Sequence, residues 1–90
     1  MSVKLRLSAL LQKVTNWQET VEVTGDTTME CLEDLEVKYP DMRQWTRDKE
    51  GEILPQLQFF VNGERIYDNE LTNPLKDGDE VFIVIAILGG

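Results

Sequence analysis

No histidine occurs in the 90 residues, and cysteine occurs once, as Cys31. The first absence removes the usual general base near neutral pH and the commonest metal ligand, so a hydrolase triad is excluded. The second leaves no intrachain disulfide and no multi-cysteine metal or iron–sulfur site. Basic residues are also scarce: nine Lys and Arg stand against seventeen Asp and Glu, for a net charge of −8. The nine are scattered between Lys4 and Lys76 without forming a stripe. Nucleic acid needs clustered cations and an anionic membrane needs a polybasic segment, so neither partner is expected. The start, Met1-Ser2-Val3-Lys4, lacks the apolar stretch of a signal peptide, and no apolar run approaches a membrane span; the expected location is the cytoplasm. Gly25, Gly51, Gly63 and Gly78 stand singly. There is thus no glycine-rich phosphate loop, and an autonomous nucleotide-binding enzyme is not expected.

What is present reads as one folded domain, with 41% hydrophobic and 29% charged residues. Val3, Leu5 and Leu7 alternate with Lys4, Arg6 and Ser8, the two-residue period of a half-buried strand, and Val21 and Val23 resume it after an intervening loop. The period then becomes helical. Met29, Leu32, Leu35 and Tyr39 share a stripe, Thr27 and Glu30 have capping-box spacing, and Pro40 ends the run, which predicts a helix over about 28–39. Residues 40–55, with Pro40, Asp41, Asp48, Gly51 and Pro55 around the isolated anchors Met42, Trp45, Ile53 and Leu54, read as a long, partly packed surface loop. Leu57, Phe59 and Val61 form a strand ending at Asn62-Gly63, a tight-hairpin signal, with Ile66-Tyr67 as the return. Residues 80–87 form a last strand, apolar on both faces and so expected in mid-sheet, in parallel contact with the first. The order predicts an α+β domain: a mixed four- to five-stranded sheet with one main helix packed on one face. Residues 1–88 are taken as that domain and 89–90 as a flexible tail.

Carboxylates are the remaining source of catalysis within the chain. Glu30, Glu33, Asp34 and Glu36 read as a solvated helix face, and Asp77, Asp79 and Glu80 as turn chemistry beside Gly78. Cys31, one turn into the helix and beside the Leu35 stripe, reads as a small buried side chain rather than a nucleophile. By parity along the strands, Phe60, Phe82 and Val84 face away from the helix and form an apolar patch suited to a partner, unless the 40–55 loop folds over it. The apolar strand runs directly into Leu88-Gly89-Gly90. Two residues without side chains allow a terminus to enter a narrow cleft that any Cβ would block; the competing reading is a frayed end.

The order of elements, the segments Phe60-Val61-Asn62-Gly63-Glu64 and Leu75-Lys76-Asp77-Gly78-Asp79-Glu80-Val81, and the final Gly89-Gly90 together resemble the ubiquitin-like sulfur-carrier proteins of the MoaD/ThiS type. The likeness spans essentially the whole chain and is nearest to the small subunit of molybdopterin synthase and its relatives. It implies a β-grasp, ubiquitin-like fold. It also implies that the Gly90 carboxylate is adenylated by an E1-like, ATP-dependent activating enzyme and converted to a thiocarboxylate. That sulfur would pass to a synthase or its large subunit, for a molybdopterin-type cofactor or a related metabolite.

On this reading Gly90 is the reactive group, Gly89 the flexible arm, and Phe60, Phe82, Val84 and Leu88 the partner-binding residues. The chain is then a co-substrate or synthase subunit rather than an enzyme. It binds no cofactor or metal itself, and ATP and magnesium belong to the activating partner. Leu88 departs from the proline or small residue often found before the glycines in molybdopterin-synthase subunits, and the 40–55 segment is longer than in the smallest thiamine-pathway carriers. The alternatives are a protein modifier joined through Gly90 to lysines, and an interaction module with an inert tail.

Overall fold

A computed structural model describes residues 1–86. Strand β1 (Ser2–Leu7) leads through a one-turn helix α1 (Ala9–Gln12) to β2 (Thr20–Thr24), and helix α2 (Thr28–Lys38) follows. A 3-10 turn (Pro40–Met42) and a second one-turn helix α3 (Arg43–Thr46) precede β3 (Leu57–Val61) and β4 (Glu64–Ile66). After another 3-10 turn (Asp68–Glu70) comes β5 (Glu80–Ile85). The sheet has the order β2-β1-β5-β3-β4. As expected, β5 is central: it runs parallel to β1, with Leu5 beside Val81 and Leu7 beside Ile83, and antiparallel to β3. Five strands with α2 laid on one face make a β-grasp domain, which meets the expected fold class.

Burial follows strand parity. Val3, Leu5, Leu7, Val21, Val23, Leu57, Phe59, Val81 and Ile83 pack against Cys31, Leu32 and Leu35 of α2 in one core. Each such aliphatic side chain contributes roughly 1.5–3 kcal/mol by leaving water. Helix α2 starts as its spacing predicts, with Thr27 Oγ1 accepting from the Glu30 N–H at 3.1 Å. The Glu30 carboxylate reaches one residue further than a standard capping box, accepting from the Asp26 N–H at 2.8 Å. The helix also covers the exposed edge of β2: Asp34 accepts from the Thr24 N–H at 2.8 Å, and Lys38 Nζ donates to the Glu22 carbonyl at 3.0 Å. An edge satisfied in this way is closed to strand addition. At the β3–β4 turn Asn62 and Gly63 have φ of 52° and 83°, the left-handed pair that an Asn-Gly hairpin requires.

Two segments differ from their reading as loops. The connection after β1 forms α1 and buries Leu11 and Thr15, where the residue pattern signals no element. Residues 40–55 carry a 3-10 turn, α3 and a bridge between Arg47 and Ile53, with Met42 and Thr46 fully buried. The pin is Glu36, which is buried rather than part of a solvated acidic face. Its two oxygens accept from Arg47 Nε and Nη2, each at 2.9 Å, and Oε2 also accepts from Thr46 Oγ1 at 2.6 Å. Burial by itself raises the Glu36 pKa; the hydrogen bonds from Arg47 and Thr46 outweigh it and hold the carboxyl below its usual 4.5.

Glu36→Gln leaves Arg47 with a neutral partner and is expected to lower stability by about 2–3 kcal/mol at pH 7. Because the folded-state pKa of Glu36 is depressed, its contribution is present above the unfolded value near 4.5 and is lost as pH falls through the folded one. Thermal unfolding of both proteins from pH 7 down should therefore show the gap narrowing below about pH 4.5; a constant gap would refute the account. Gly25 is a second test. A Cβ there would lie 2.8 Å from the Cys31 backbone nitrogen and 3.0 Å from the Glu30 carbonyl carbon. Gly25→Ala should cost about 1–3 kcal/mol in denaturant unfolding.

Candidate docking face and C-terminal exit

The sheet face opposite α2 is built from the alternate positions of the same strands. The register sets Arg6 beside Phe82, Phe82 opposite Phe60, and Phe60 opposite Arg65. One row therefore crosses four strands as cation, aromatic, aromatic, cation. The Phe60 and Phe82 rings lie 6.0 Å apart and tilted by 39°, a favourable aromatic geometry. The Arg6 guanidinium sits 4.6 Å from the Phe82 ring centroid, where the ring face attracts a cation. In the next row Val84 stands opposite Gln58.

The three aromatic and aliphatic candidates of this face, Phe60, Phe82 and Val84, do share it, and all are half-buried. Of the 40–55 segment, Met42 and Trp45 pack with the core instead. Sequence reasoning missed Arg6 and Arg65, although the parity that selects Phe82 also selects Arg6 once the parallel register is known. It also missed Trp17, which is 65% exposed and follows Asn16, both with left-handed φ of 57° and 67°. Such backbone is strained for a bulky side chain.

Strand β5 carries the backbone to one end of the sheet. There Ser8 Oγ accepts from the Ile85 N–H at 3.3 Å, and the Ala86 N–H donates to the Gln56 carbonyl at 2.8 Å. The remaining candidates, Leu88, Gly89 and Gly90, lie outside the described residues.

The acids have structural partners. Asp79 accepts from the Lys76 N–H at 2.8 Å and from Asn62 Nδ2 at 2.8 Å, which lowers its pKa. The Asp34 carboxyl is lowered first by its bond from the Thr24 N–H, then by Lys38. Cys31 is fully buried; desolvation, then the nearby Asp34 and Glu30, push its thiol up to about 11, so it is protonated at neutral pH and unsuited to nucleophilic attack. A polar cleft of about 610 Å³, lined by residues such as Lys4, Glu22 and Asp79, lies at the opposite end of the sheet, where β5 begins. Among the described residues no group of three or more Asp, Glu or Cys is placed to hold a metal ion, and no helix is long and apolar enough to cross a membrane.

This geometry offers one apolar sheet face and one end at which β5 closes. The model of the ThiS family matches residues 5–90. The chain belongs to the ThiS family. Among solved structures, this ThiS-family chain is similar to small archaeal modifier protein 1 of Methanosarcina acetivorans, with a TM-score of 0.86 and 26% identity over 99% of this chain and 96% of that one. It is equally similar in sequence to a chain of the BexX/CysO complex of Amycolatopsis orientalis, at 26% identity, TM-score 0.82, and coverage of 98% and 99%. A chain from the complex of subunits 1 and 2 of the molybdopterin-converting factor of Helicobacter pylori matches over 100% of both chains at TM-score 0.65; at 21% identity that likeness concerns the fold alone. No curated protein sequence matches this one. The fold is thus that of the ubiquitin-like carriers and modifiers, as the resemblance implied.

Phe60→Glu puts a charge against Phe82 and tests the docking face. Affinity for the adenylating enzyme expected from the resemblance should fall by more than about tenfold, with a smaller effect on Tm, because the site is only half-buried. Binding equal to wild type would rule out this face.

Proposed function

We propose that this protein is a sulfur carrier whose Gly90 carboxylate is the reactive group. The observation that carries the reading is the ThiS-family match running through residue 90, together with a two-sided central strand that delivers the chain to Ala86 at one end of the domain. A carboxylate is a poor acyl donor because its leaving group is oxide. In the first step a Gly90 oxygen attacks the α-phosphate of ATP and pyrophosphate departs; in the second a hydrosulfide-level sulfur attacks the acyl carbon and AMP departs, leaving a thiocarboxylate.

Nothing in the described residues has to perform either step. The activating enzyme supplies ATP, magnesium and a proton acceptor, and this chain supplies the carbon and the recognition surface, as a cytoplasmic co-substrate rather than an enzyme. Gly89 lets the terminus enter a narrow cleft, Leu88 discriminates among partners, and Phe60, Phe82 and Val84 hold the domain against them. The sulfur acceptor is a synthase of molybdopterin type or of a related sulfur metabolite; the BexX/CysO complex among the structural neighbours supports a protein partner.

A second reading is favoured by the likeness to small archaeal modifier protein 1: the same acyl-adenylate is captured by a lysine amine, making the chain a protein modifier. Intact-mass spectrometry of the protein from its host under sulfur demand separates these. A terminus heavier by the difference between sulfur and oxygen is the expected result. Conjugates through lysine would favour the second reading, and an unchanged terminus would leave only an inert interaction module. Deleting Gly90 should abolish charging with no measurable change in Tm; a large loss of stability would refute the assignment.

A further inference from the structure

Beside the exit of β5 lies a groove of about 500 Å³ lined by Leu10, Trp45, Leu54, Ile85 and Ala86, otherwise only by two glutamines. Its size is in the range of ligand sites, ~300–1,000 Å³. Among the described residues no charged one lines it, although the chain carries a net charge of −8. Leu10 and Leu54 are half-buried and stand outside the core cluster. The groove is preformed. Leu54 N–H donates to the Thr46 carbonyl at 2.9 Å, Thr46 and Arg47 are clamped by Glu36, and the Ala86 N–H is tied to Gln56.

This argument rests on the proposal that Gly90 is activated. Four residues, 87–90, follow Ala86, and four residues of extended chain span at most about 14 Å. An enzyme holding the Gly90 carboxylate in its active site therefore has to bring its surface against the residues around Ala86, which are those of the groove. We propose that the groove seats an apolar side chain of the adenylating enzyme and so selects this carrier for activation. The activating enzyme is the occupant, because adenylation precedes transfer to any acceptor, sulfur or lysine. Specificity then comes from the 40–55 segment, which contributes Trp45 and Leu54, in addition to the outer sheet face.

The test is ATP–pyrophosphate exchange catalysed by the activating enzyme of the same host, with the full-length carrier titrated. The variants are Leu10→Gln with Leu54→Gln, Gln44→Glu at the exposed mouth of the groove, Val37→Gln on the far side of α2, and a Gly90 deletion. The double variant should raise the half-saturating carrier concentration about tenfold with little change in the saturating rate, the signature of lost binding rather than lost chemistry. Gln44→Glu should shift it in the same direction without touching the core, so a folding defect in the double variant does not remove the test. Val37→Gln should behave as wild type. If wild type and both groove variants saturate alike while the Gly90 deletion is inactive, the groove proposal is overturned and the carrier reading stands. If wild type supports no exchange, the carrier reading falls and this inference falls with it.

Discussion

The parallel pairing of β1 with β5 is the constraint on which the rest of the molecule depends. It joins the first strand to the last across almost the whole sequence, with Leu5 beside Val81 and Leu7 beside Ile83, and those four side chains are at most 1% exposed. Such a contact closes the longest possible loop, so it is entropically costly and forms only if the apolar gain is large. With β5 in the centre, β3 is positioned on its other edge, α2 has a continuous apolar floor, and the backbone leaves the sheet at Ala86 between β1 and the Gln56 strap. The same pairing that completes the core thus brings the described chain to its end at Ala86, at one end of the sheet.

Charge is used locally more than globally. A net charge of −8 implies repulsion, yet individual carboxylates are placed on backbone N–H groups and cations where they stabilise: Glu30 at the start of α2, Asp34 on the edge of β2, Asp79 at the turn into β5, Glu36 on Arg47. The aromatic row on the outer face carries the opposite sign at its ends, Arg6 and Arg65.

The elements with strong local signals were legible beforehand. Alternation in Val3, Leu5 and Leu7, the Thr27 cap, the Asn62-Gly63 turn and the doubly apolar last strand each depend on neighbours within a few residues, and each is where it was expected, the last strand over Glu80–Ile85 with residue 87 outside the described residues. The segments 9–19 and 40–55 were not legible, because their order comes from distant partners. Leu11 and Thr15 are buried by tertiary packing, and α3 is fixed by Glu36 from another element. The candidate docking face was half legible: parity names Phe60, Phe82 and Val84, but placing Arg6 over Phe82 requires the register between strands remote in sequence. The groove at the exit was not legible at all, since Leu10, Leu54 and Ile85 come from three separate parts of the chain.

The sequence alone determined the strands, the main helix and the buried face of each, because periodicity, capping and turn chemistry act over short range. The tertiary structure decided which rows meet across the sheet, which acid is buried, and what surrounds the chain where β5 ends. Those depend on pairing energies between residues far apart in the chain, and no local pattern encodes them.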